Sequence, residues 1–156
     1  MARGVYGVAD KLELPARIEF FDEWAKALRS GTYPQARSFL HSDDGYCCLG
    51  VAVEVARDKG LYTVPWTRAK HFTGEDQDHF VVGSDDQFLP HELADLLGIH
   101  DDGEFPDHHG WFDQDDEEVS SLTDANDDRE WDFDHIADLL DNHVKDLKKG
   151  LWSCGY

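Results

Sequence analysis

Basic residues are scarce in this chain: 14 Lys and Arg stand against 34 Asp and Glu, a formal charge of -20. The shortage is uneven. Residues 1–70 hold 10 basic and 9 acidic residues, whereas residues 71–156 hold 4 and 25. A surface of that kind repels nucleic-acid phosphates and acidic lipid headgroups, so no direct nucleic-acid binding and no membrane association are expected, while cationic partners or metal ions are favoured. The plainer account is that the acidity keeps the protein soluble in a salty cytoplasm. Long apolar runs are missing too. None approaches the roughly 18 residues needed to cross a bilayer, and Met1 to Tyr6 lacks the continuous apolar segment of a secretion signal, so a soluble intracellular protein is expected. Three cysteines, two of them neighbours at Cys47 and Cys48, cannot build a disulfide framework and read as reduced thiols. No glycine-rich phosphate loop, Gly-x-Ser-x-Gly elbow or His-Glu-x-x-His pair occurs, which weighs toward a binding protein.

What is present is enough for one core. With 156 residues, 40% hydrophobic and 12% aromatic, the chain suits a single domain and is short for two. Its centre is the run Tyr46-Cys47-Cys48-Leu49-Gly50-Val51-Ala52-Val53-Glu54-Val55-Ala56, apolar almost all round, preceded by Ser42, Asp43 and Asp44 as candidate caps. Val51, Val53 and Val55 alternate as a strand would, but Arg57, Lys59 and Gly60 form a helix end, so a buried helix over 46–57 is expected. Around it, spacings of three and four predict helices over 16–30 (Ile18, Phe21, Trp24, Ala25, Leu28), 90–97 and 132–147 (Phe133, Ile136, Ala137, Leu140). Two β-rich runs between residues 61 and 83 predict a small antiparallel element, with Pro65 holding the first to an edge. Residues 1–14 read as an irregular arm and 100–128 as an acidic loop. The fold class is thus α+β: one mainly helical domain, residues 1–156, with a buried central helix and a small antiparallel β element.

Chemistry is sparser than structure here. Amides at the start of the buried helix would stabilise a thiolate on Cys47 or Cys48, which is how a cysteine-dependent hydrolase begins; spacing does not fix a histidine partner among His41, His91 and His135, and free cysteines are mostly small buried hydrophobes. Adjacent Cys-Cys with His108-His109 is not the paired spacing of a zinc site. Asp124, Asn126, Asp128 and Asp132 fall on calcium-loop positions one, three, five and nine, but Arg129 replaces the required Gly and His135 the bidentate Glu. No cofactor is expected. The loop from Ser30 to His41 offers Arg29, Tyr33, Gln35 and Arg37 as polar groups that can meet a ligand, with Tyr33 and Phe39 packing inward as the structural alternative.

The stretches Trp24-x-x-x-Leu28-Arg29-Ser30-Gly31-x-Tyr33-x-Gln35 and Asp44-Gly45-Tyr46-Cys47-Cys48-Leu49-Gly50-Val51 resemble a family of small tailed-bacteriophage proteins without an assigned activity. Later landmarks extend the likeness from about residue 20 to 145: Leu89-Pro90, Leu97-Gly98, Leu122, Asn126-Asp127 and Phe133 with Ile136 to Leu140. The family tends to carry Gly and Lys after the Gln, where this chain has Ala36-Arg37-Ser38. The resemblance implies a phage accessory protein in the host cytoplasm, of the kind that takes over host processes or counters defence. On that setting the expected site joins the Arg29–Gln35 loop to the start of the buried helix. Arg29 pairs with an anionic group of a small nucleotide-like ligand, Tyr33 and Tyr46 stack, Asn126 and Asp127 give directional hydrogen bonds, and Gln35 and Cys47 complete the lining. A host protein is the other partner considered. The alternatives are an acidic DNA mimic that occupies a host nucleic-acid enzyme through residues 100–128, and the cysteine-dependent hydrolase.

Overall fold

The computed structural model describes residues 11–69, 79–83, 85–104, 111–112, 118–119, 121–128 and 131–153. Within them the chain forms an α+β fold in which helices dominate. Helix α1 spans Leu14–Arg29, with Pro15 in its first turn, and buries Ile18, Phe20, Phe21, Trp24, Ala25 and Leu28. Every residue that the spacing placed inward is inward. It stops because Ser30 turns back on it: the Ser30 amide and Oγ both donate to the Ala27 carbonyl, at 3.2 and 2.7 Å, and Gly31 follows with φ +76°. Helix α4, Phe133–Ser153, packs along α1 and runs six residues beyond the expected end at 147.

Helix α2, Cys48–Asp58, buries eight of its eleven residues. Each fully buried Val or Leu stabilises the core by about 1.5–3 kcal/mol, and α2 contributes Leu49, Val51 and Val53 at this level. It begins two residues later than expected, and the acidic residues before it do not cap it. His41–Ser42 (β1) and Gly45–Tyr46 (β2) instead form a hairpin, with Asp43 and Asp44 in the turn. The correction has a local cause. Gly45 adopts φ +143°, and its missing Cβ leaves room for the Pro34 carbonyl, so the backbone pairs with Pro34 and Ala36 rather than coiling. Trp66–Ala69 (β3) and His79–Val82 (β4) extend this hairpin into an antiparallel sheet of order β2-β1-β4-β3. Pro65 lies just before β3, which is an edge strand, as the sequence suggested.

Helix α3, His91–Leu97, ends at Gly98 in the left-handed region and buries Leu93, Ala94 and Leu97. The stretch read as an acidic loop carries more structure than that. Trp111–Phe112 (β5) pairs with Glu118–Val119 (β6), and Asp124–Asp128 forms a π-helical turn. Leu122, Ala125 and Asn126 there are fully buried. Of the expected arm, residues 1–10 lie outside the described residues; Leu12 bonds to Leu96, and Leu14 already belongs to α1. No helix among the described residues is long and apolar enough to cross a membrane.

Candidate functional site

The start of α2 is where the specific sequence motifs converge. Cys47 is extended and has no side-chain cap, so the first free amide of the helix needs a partner from elsewhere. Asn126, 78 residues onward, supplies it: its Oδ1 accepts from the Cys48 amide at 3.3 Å and from Gln35 Nε2 at 3.0 Å. Its Nδ2 donates to the Ala36 carbonyl at 3.0 Å and to Asp127 Oδ1 at 2.8 Å. All four hydrogen-bonding positions of a wholly buried amide are thereby used. Gln35 spends its second donor on the Trp131 carbonyl at 2.8 Å, and Asp127 Oδ1 also accepts from the Ser38 amide at 3.0 Å. That bond holds Ser38 at φ +79°, a conformation costly for a non-glycine residue. The network ties loop 35–38, helix α2 and the lead into α4 together.

Five of the seven residues expected to form the site therefore gather at the start of α2: Gln35, Tyr46, Cys47, Asn126 and Asp127. The polar atoms of Gln35, Asn126 and Asp127 are turned to one another. Tyr33 meets Tyr46 edge-on, with ring centroids 5.2 Å apart. Arg29 stands apart on the outer face, where its guanidinium lies 2.7 Å from both Asp138 and Asp141 of α4. The hydrogen bond to Asp141, with that to Asp138 behind it, raises the Arg29 pKa against the opposing effect of desolvation. An anionic ligand at Arg29 would compete with two carboxylates already in place.

The thiols are interior. Cys48 is fully buried and its Sγ donates to the Leu122 carbonyl at 3.6 Å, while Trp24 Nε1 donates to the Cys48 carbonyl at 3.0 Å. Helix-start amides do lower the Cys47 pKa, as expected, but burial outweighs them and pushes it up to about 12; Cys48 is raised well above the ordinary thiol value for the same reason. A nucleophile needs the opposite. Gly50 explains the end of the Cys-Cys-Leu-Gly motif: a Cβ there would overlap the Leu40 carbonyl, so only glycine lets α2 approach this close.

Two features were out of reach of sequence reading. Sheet register places Tyr46, His41, Phe80 and Arg68 in one row across the four strands. His41 stacks between Tyr46 and Phe80, with centroids 4.0 and 4.2 Å away, and Arg68 covers the far side of Phe80 at 4.9 Å while bridging to Asp43. Trp66 flanks the row and donates to Glu54 of α2 at 2.8 Å. The second feature is a groove of about 340 Å³ between the last turns of α1 and α2, lined by Glu23, Lys26, Ala27, Ser30, Tyr33, Val55 and Asp58. Its position explains why it was missed: Tyr33 lies against the end of the buried helix and not against its start. A shallower hollow of about 690 Å³ holds Arg29, Asp132, Asp134, His135 and Asp138. Among the described residues no set of three or more His, Cys, Asp or Glu is placed to hold a metal ion, and the residues weighed as calcium ligands begin in the π-helical turn.

Residues 16–144 match the family described as a domain of unknown function, DUF8296. The chain belongs to this family. The DUF8296 region runs from the first turn of α1 into α4, and so takes in the Asn126 network, the aromatic row and the groove beside Tyr33. Among curated proteins and among solved structures, nothing matches the DUF8296 chain.

Proposed function

We propose that the chain is a non-enzymatic accessory protein of a tailed bacteriophage that works in the host cytoplasm by binding, with its ligand in the groove beside Tyr33. The observation that carries this reading is the groove itself. About 340 Å³ lies within the range of small-molecule sites, and it is walled by a motif tyrosine on the loop already singled out as a ligand contact. Gln35, Asn126, Asp127 and Gly50 are consumed by the fold; Tyr33, Lys26 and Asp58 are left at the rim of a concave surface. The interior position of both thiols supports a binding role over thiol catalysis.

The test is an amide NMR titration of the protein with a panel of nucleotides, amines and small aromatic compounds. Shifts should gather on residues 23–33 and 55–58 and vanish in Tyr33→Ala. Shifts that gather elsewhere, or that persist unchanged in the variant, reject the groove.

A second reading has its own support: Asp134, Asp138 and Asp141 lie at spacings of four and three along α4, three carboxylates against the one Arg29 guanidinium that Asp138 and Asp141 share, and they add to the acidic second half. An acidic surface of this kind suits a mimic of nucleic acid that occupies a basic host enzyme. A complex with such an enzyme that collapses in added salt and survives Tyr33→Ala would favour the mimic.

A further inference from the structure

The groove beside Tyr33 also carries a preference of charge. We infer that it takes a ligand with a cationic head on an apolar stem, an organic amine in chemical class; this rests on the groove being the binding site. Three observations lead there. First, the groove lies where two helices finish. Lys26, Ala27 and Ser30 belong to the last turn and end of α1, and Val55 and Asp58 to the last turn of α2. Both helices therefore direct the negative ends of their dipoles at the same hollow, which favours a positive charge there.

Second, the fixed charges agree once their pairings are taken into account. Lys59, the cation that ends α2, is held by Glu19 at 3.2 Å and Glu23 at 2.8 Å. Asp58 has no ion-pair partner among the described residues, so its carboxylate faces the rim uncompensated. Lys26 is the opposing charge, but it is exposed and held by no ion pair among the described residues, so its flexible stem is able to swing its ammonium into water. The Tyr33 phenol registers the balance. Burial raises its pKa first, and Asp58 and Glu54 raise it further.

Third, the walls fit a stem and a head. Ala27, Val55 and the Tyr33 ring supply apolar contact, and the face of a tyrosine attracts a cation through its quadrupole. At longer range the net charge of -20 concentrates cations and repels anions.

The experiment uses three probes of matched size: phenethylamine as the cation, 2-phenylethanol as the neutral compound and 3-phenylpropionate as the anion. Each is titrated by amide NMR into the full chain, and binding is followed at residues 23–33 and 55–58. The amine is expected to bind at least tenfold more tightly than the other two, with the difference shrinking as salt is raised. Asp58→Asn, a change at an exposed position, should lower amine affinity about fivefold and leave the alcohol unaffected. If the alcohol or the acid shifts these residues as strongly as the amine does, the charge preference is overturned while the groove stands as a site. Absence of shifts for all three at millimolar concentration overturns both. An Asp58→Asn variant that binds the amine unchanged removes the carboxylate from the recognition.

Discussion

Replacing Asn126 by Ala should cost the protein a large part of its stability, and the amount follows from which partners lose their only bond. Gln35 keeps the Trp131 carbonyl and Asp127 keeps the Ser38 amide. The Cys48 amide and the Ala36 carbonyl lose the bonds that Asn126 gives them, both in buried surroundings. A buried group left unsatisfied costs about 1–3 kcal/mol, and the cavity left by the amide adds to it, so about 3–5 kcal/mol is expected for the variant. Domains of this size are stable by only about 5–15 kcal/mol. With a urea slope of about 2 kcal/mol per molar, the midpoint should fall by roughly 2 M. Urea unfolding followed by tryptophan fluorescence reports it, since Trp24 is fully buried in the core beside α2. Asn126→Asp should do no better, because its carboxylate would turn an acceptor toward the Ala36 carbonyl and place a second charge beside Asp127. A loss below about 1 kcal/mol in Asn126→Ala would refute the reasoning, for it would mean that water or a shifted backbone satisfies the orphaned groups at no cost.

Gly50→Ala should destabilise by more than about 3 kcal/mol or prevent folding, because the new methyl must displace backbone at Leu40 rather than a flexible side chain; circular dichroism at rising temperature would show it. Neither Cys47 nor Cys48 should react with iodoacetamide at pH 8 in the native state, and both should react once urea unfolds the chain; mass spectrometry of the labelled peptides distinguishes the two conditions. At the alkaline end, Tyr33, Tyr46 and Tyr62 all have pKa values raised by burial, Tyr46 to about 12. The folded state favours the neutral phenols, so their contribution is complete below pH 10 and is lost as pH climbs toward 12. Absorbance at 295 nm should show delayed tyrosine ionisation, followed by unfolding. A titration complete by pH 10.5 in folded protein would contradict the burial.

Helices α1 and α4 were legible in the sequence because each presents one apolar stripe to one core, and that period survives in the order of residues. The buried helix was harder for the same reason in reverse: enclosed on most sides, it has almost no polar face to set a period, and its valines mimic a strand. Its start was misplaced because Ser42, Asp43 and Asp44 suit a turn as well as they suit a cap. Nothing local reveals that the partner of the Cys48 amide is Asn126. The candidate residues Gln35, Asn126 and Asp127 were brought together correctly by motif reading, but their polar atoms proved to be occupied with one another, and a motif cannot tell a residue that holds a loop from one that holds a ligand. The groove was out of reach because Lys26, Val55 and Asp58 are unremarkable in sequence and acquire meaning only when two helix ends meet.

The distance in sequence between Cys48 and Asn126 also bears on how the protein is made. While the ribosome is still adding residues before 126, the interior helix has no lid on its first turn and the loop at 35–38 has no anchor. The nascent chain must therefore keep its most apolar segment in a provisional state until Asn126 has been added, which makes the interval between the two the moment at which it is most exposed to chaperones and proteases.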